Sequence, residues 1–219
     1  MALADYIGRF WAGAEVIYGV IIAMTFTSAL RDLPFAVLEK MLVERTVYTA
    51  LFCCMAWGVA DGLFYLWERN YLIRQENRII ELSKSAQTEP AVSLVEAQLD
   101  DTVLRNVPSG QRQELYVKLV QFLSGSGTRE TLSWREGFTI VGGTFIRSAL
   151  AGVVVVIPFF ATTDVDLALK VSNLLGILLL FGIGYVRALD REFVHRIVMA
   201  VGTSMIGIVI TAITVVLGG

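Results

Sequence analysis

Apolar positions along this 219-residue chain gather into five long runs, at about residues 10–30, 46–66, 138–161, 167–187 and 197–217. Each is close to the ~20 residues that a helix needs to cross a hydrocarbon core. The runs are continuous and do not alternate, and in lipid only helices or closed barrels satisfy every backbone group. The pattern therefore predicts an all-α membrane protein with five transmembrane helices. Between the second and third runs lies a polar stretch, residues 67–137, that reads as a small helical domain. Within it, 68–84 continues the second span as a polar helix, and Pro90 is expected to break the chain. A second piece follows over 92–107, with Leu94, Val95, Leu99, Val103 and Leu104 near a 3.6-residue period. Ser109 is the expected N-cap of a third piece, 111–123. The SGSG at 124–127 is a flexible joint. The segments are thus 1–66 with spans one and two, 67–137 as the intervening domain, and 138–219 with spans three to five. Residues 33–47 are amphipathic and fit the membrane surface.

Composition agrees with this class. Hydrophobic residues make up 55% of the chain and charged residues 17%, against about 25% charged in soluble domains. The first residues lack a basic n-region and a small-residue cleavage site, so the first span is expected to be retained. Lys and Arg set the orientation. With the N-terminus inside, thirteen basic residues lie on the cytoplasmic side and three (Arg31, Lys40, Arg45) outside. Residues 67–137 are then cytoplasmic and the C-terminus faces out. This is the expectation for a multi-pass protein, placed in the inner membrane if the source is bacterial. Cys53 and Cys54 are adjacent within a span, so they form no extracellular disulfide framework.

Polar residues inside the spans carry the chemistry. Asp61 lies in an otherwise apolar or small segment, where an acid costs at least ~2.5–3.5 kcal/mol and is functional by default. Glu15 sits five residues from one end of span one and Asp61 five from the matching end of span two. At 1.5 Å per residue both lie about 7–8 Å inside the same face. Arg147 of span three enters from that face at similar or slightly greater depth. Two readings stay open. One is a structural ion-pair cluster that ties helices together. The other is a cation or proton site with Glu15 and Asp61 as ligands. Cys54, Gly58, Asp61 and Tyr65 share one stripe of span two, with Trp57 beside it, which makes the Cys54 thiol a candidate metal ligand against a packing role. Thr203, Gly207, Thr211 and Thr214 in span five, and Gly176, Gly182 and Gly184 in span four, suit close helix packing.

Several segments resemble the vacuolar iron transporter family, in particular its short bacterial relatives. They are EVIYGVIIAMTFTSAL, CCMAWGVADGLFYLWERN, IPFF at 157–160, and LFGIGYVRALD with the Gly/Thr-rich last span. The resemblance implies a homodimer that moves Fe²⁺ or Mn²⁺ out of the cytoplasm, exchanged for protons. It implies that Asp61 and Glu15 contribute to the translocation path. It also implies that Glu76 and Glu81, with Glu96, Asp100, Asp101 and Glu114, collect metal in the cytoplasmic domain. The acid that family members carry before the span-one glycine is Tyr18 here, one turn after Glu15, and residues 67–137 contain no methionine.

The expected function is divalent-cation transport in which Asp61 and Glu15 exchange metal with protons beside the charge of Arg147. The alternative is a non-transporting scaffold or sensor of the same fold, with a structural Glu/Asp/Arg cluster. An enzyme is not expected, since there is no HExxH, no phosphate loop and only one histidine, His195. No resident cofactor and no nucleic-acid partner is expected; the partners are the bilayer, a second copy of the chain and the cation.

Overall fold

In the computed structural model the secondary structure of the described residues is entirely helical. Those residues are 3–30, 40–85 and 88–218, without the side chains at 9, 210, 211, 214, 215, 217 and 218. Arg31 and the part 33–39 of the amphipathic stretch 33–47 lie outside them, as do the side chains of Thr211 and Thr214. The helices are α1 (Leu3–Ser28), α2 (Lys40–Lys84), α3 (Thr88–Leu99), α4 (Ser109–Leu123), α5 (Trp134–Val156), α6 (Pro158–Ala161), α7 (Val165–Arg187) and α8 (Phe193–Gly218), with a 3₁₀ turn at Val103–Asn106.

Four of these are long and apolar enough to cross a membrane: Phe10–Ser28 within α1, α2, α5 and α7. The chain is by these helices a multi-pass membrane protein. In α8 the described side chains give an apolar stretch over Phe193–Val209, where the first side chain outside them follows. Two breaks come from backbone chemistry. At Gly8 the backbone turns to φ 80°, ψ 156°, kinking α1 two residues before its apolar part. Only glycine visits that region without strain. The third apolar run, 138–161, is not one helix: it stops at Val156 and restarts as the short α6 at Pro158. Proline has no N–H to continue the ladder; Ile157 before it keeps helical angles, φ −47° and ψ −40°.

The chain divides into two compact units, Met1–Leu66 with Trp134–Gly219, and Trp67–Ser133. In the second unit Ile79 of α2, Ala91, Val92 and Val95 of α3, and Tyr116 and Val120 of α4 form an apolar core. Two local expectations are corrected there. Pro90 does not break a helix but sits in the first turn of α3, where its missing N–H would be unbonded anyway. Ser109 is the first residue of α4, and Pro108 holds the cap position with no side-chain cap. Asn77 ties the later chain down: its Nδ2 donates to the Arg129 carbonyl and its Oδ1 accepts from the Arg129 N–H, both at 2.7 Å.

In the first unit, close approach through small residues organises α1, α2 and α5. A Cβ added at Gly58 would stand 2.7 Å from the Phe145 Cα, and one at Gly62 2.6 Å from the Val141 Cα. Gly58 and Gly62 form a G-x-x-x-G pair that lets the backbones of α2 and α5 touch. Gly19 of α1 meets the Ser148 carbonyl and Ala151 of α5 in the same way. Of the span-four glycines, Gly184 faces the α8 backbone at Met199 and Ala200, and Gly176 receives the Met24 side chain, but Gly182 faces open space. From α8, Thr203 lies against Gly184, while Gly207 receives Leu180.

Candidate functional site

Glu15 is the centre of the site. It lies on α1 with no solvent-accessible surface, among helices whose inward faces are otherwise apolar or small. Its Oε1 accepts a hydrogen bond from the Tyr65 hydroxyl at 3.0 Å. Its Oε2 is buried without a hydrogen-bond partner among the described residues. Asp61 lies one helical turn before Tyr65 on α2, beside Glu15 and the Trp57 indole. The residues at 57, 61 and 65 fall four apart, so one face of α2 presents Trp, Asp and Tyr in a column toward α1.

Aromatic rings surround the acids. Trp11 and Tyr65 have ring centroids 6.1 Å apart, and Tyr18 meets Trp57 edge-on at 5.9 Å. Each pair joins α1 to α2, one ring from each, around the two carboxyls. Such pairs are worth about 0.5–1.5 kcal/mol beyond the area they bury.

Arg147 stands apart from the pair. Glu15 feels its charge, but no ion pair involving Arg147 occurs among the described residues. The guanidinium instead lines a cavity on another side of α1, together with Arg187. The three charged residues that the sequence places at similar depth thus resolve into an adjacent acid pair and a separate cation.

Cys54 takes part in packing. Its thiol donates to the Gly19 carbonyl at 3.3 Å and fills the notch opposite Gly152. Its own carbonyl accepts from the Ser148 hydroxyl at 2.8 Å. Seven residues separate it from Asp61, about 10 Å along the helix. Glu76 and Glu81 are exposed on the part of α2 in the second unit. Of the other acids there, Glu114 pairs with Lys118 at 2.6 Å and Asp100 with Arg112. No group of three or more His, Cys, Asp or Glu placed to hold a metal occurs among the described residues.

Sequence reasoning placed Tyr65 on the right stripe but gave it no role, and it passed over Trp11 and Tyr18 as ring partners. The signal was the four-residue spacing Trp57, Asp61, Tyr65, read against a buried acid in the preceding span. The G-x-x-x-G of Gly58 and Gly62 was also present in the sequence and is the local reason that α2 lies close to its neighbours. Comparison with protein-family models and with curated proteins finds no match for this chain.

Proposed function

We propose that this protein is a membrane transporter in which the Glu15–Asp61 pair exchanges a divalent cation for protons. The observation that carries this reading is Glu15 itself: wholly buried, held through Oε1 by the Tyr65 hydroxyl, with the Asp61 carboxyl beside it and no donor on Oε2 among the described residues. Two adjacent carboxyls can hold protons or share one dication, and each occupant excludes the other because both need the same oxygens. Tyr65 keeps Oε1 engaged and leaves Oε2 for the exchanging ion. Oxygen donors of this kind suit Mn²⁺ and Fe²⁺, the ions the family resemblance implies. With two carboxylates, water or backbone carbonyls complete the coordination.

Five spans, a cytoplasmic N-terminus, an outward C-terminus, a cytoplasmic middle domain and a homodimer complete the proposal, supported by the Lys/Arg distribution and the same resemblance. A non-transporting scaffold or sensor is the second reading. The lack of a third metal-ligating side chain among the described residues favours it.

Proteoliposomes that report internal Mn²⁺ or Fe²⁺ and internal pH separate the two. Transport predicts metal uptake coupled to proton movement in the opposite direction, abolished by Glu15→Gln and by Asp61→Asn. Equal metal uptake in empty and protein-loaded vesicles would sink the transport reading and leave the scaffold.

A further inference from the structure

We propose that the cavity walled by α1, α5 and α7 binds an anionic phosphate group, supplied in the membrane by a phospholipid headgroup. This inference concerns a different face of α1 from the one bearing Glu15 and does not depend on transport.

The cavity measures about 650 Å³ and is lined by two arginines, Arg147 from α5 and Arg187, the last residue of α7. Neither forms an ion pair among the described residues. The Nη2 of Arg187 is buried with no hydrogen-bond partner among the described residues. The acid on the cavity wall, Asp190, has a side chain 71% exposed and lies 3.7 Å from Arg191, so it pairs with neither cavity arginine. A buried donor of a charged group left without an acceptor costs more than a neutral one would.

Arg187 is positioned for such a partner. Its Cζ stacks 3.9 Å from the centroid of the Phe10 ring. Its stem runs over Gly13, where an added Cβ would stand 3.0 Å from the Arg187 Cδ. The ring fixes the guanidinium plane, and the glycine makes room for the stem. The free edge is left to an acceptor. Planar guanidinium groups match phosphate oxygens in number and spacing better than any other side chain does.

The remaining walls favour an amphiphile. Val16, Ile183 and Val186 are apolar and suit an acyl chain. Phe10 opens the apolar part of α1 and Arg187 closes α7, so the cavity reaches the level where headgroups lie. Basic pockets between membrane helices at that level recognise anionic lipid phosphates. Two cations repel a divalent cation, which sets this cavity apart from the carboxyl pair.

The full-length protein is placed in nanodiscs of mixed phosphatidylglycerol and phosphatidylcholine, and retained lipid is counted by native mass spectrometry. Thermal stability in neutral detergent is followed alongside, with phosphatidylglycerol, phosphatidylcholine or inorganic phosphate added separately. Wild type is expected to retain one phosphatidylglycerol per chain in preference to phosphatidylcholine. Arg147→Gln and Arg187→Gln should each cut that retention about tenfold, the loss of one charge-assisted contact. Gly182→Leu, at a position facing open space in the same cavity, should cut it too without any loss of stability in the absence of lipid. Stabilisation by inorganic phosphate that is lost in both arginine variants supports the phosphate site and assigns it to a soluble anion. Equal retention of phosphatidylglycerol in wild type and all three variants, or no preference over phosphatidylcholine, overturns the proposal.

Discussion

Replacing Gly58 or Gly62 by alanine tests whether the close approach of α2 to α5 holds the acid site together. The added Cβ at Gly58 would meet the Phe145 Cα at 2.7 Å, short by about 0.7 Å of the 3.4 Å where ordinary contact begins. At Gly62 the obstacles are the Thr144 hydroxyl and the Val141 Cα at 2.6 Å. A backbone atom stands in the way at each position, so a rotamer change alone does not relieve the clash and the helices must separate. Overpacking of this kind costs about 1–3 kcal/mol. Alanine also raises helix propensity over glycine by about 0.8–1 kcal/mol, which would mask part of the loss. Gly182→Ala removes that ambiguity, because its Cβ meets nothing within 4 Å and it reports propensity alone. The difference between Gly58→Ala and Gly182→Ala is therefore expected to be about 1–3 kcal/mol of destabilisation. The double variant Gly58→Ala/Gly62→Ala should lose less than the sum, since one separation relieves both contacts. Reversible unfolding in mixed detergent micelles measures these differences. If Gly58→Ala and Gly62→Ala are as benign as Gly182→Ala, the close α2–α5 contact is wrong.

Tyr65→Phe removes the hydrogen bond to Glu15 Oε1 and is expected to destabilise by about 1.5–3 kcal/mol if the carboxyl is charged and about 0.5–1.5 kcal/mol if it is neutral. In the flux assay it should also shift the pH dependence of uptake, and an unchanged profile argues against a role for Tyr65 in proton exchange. In the second unit Tyr116 is 1% exposed, and burial, reinforced by the charge of Asp100, raises its pKa above the usual 10.0. A raised pKa adds stability that is present below pH 10 and lost as pH rises through the folded value. Melting followed from pH 9 upward should show an alkaline loss that Tyr116→Phe reduces. Lys118 holds the Glu114 carboxyl below its usual 4.5, so that contribution is present above pH 4.5 and lost as pH falls through the lowered value. NMR titration of Glu114 in Lys118→Met should return its midpoint toward 4.5.

Much of the fold follows from local rules. Apolar runs of spanning length in a chain with 17% charge can only be helices in a membrane, because lipid offers the backbone no other partner. Placing Glu15 and Asp61 at one depth needed only the helical rise, since distance along a helix is a property of the chain. The sequence also carried the column Trp57, Asp61, Tyr65, because four-residue spacing determines which side chains share a face.

Rotation of one helix about its axis relative to the next was not legible. Depth brought Arg147 level with the two acids, but only the packing of α1 against α5 decides whether it faces them. It does not pair with them and shares a cavity with Arg187 instead. The same reason separates Gly184, pressed on the α8 backbone, from Gly182 two residues earlier, which faces open space. Pro158 ended a run that hydrophobicity alone extends, because composition does not register a missing N–H. Local rules reach as far as a helical membrane protein with two acids at matching distances from their span ends. Tertiary structure decided which side of each helix that pair and the arginines occupy, since lateral facing depends on contacts between segments far apart in the chain.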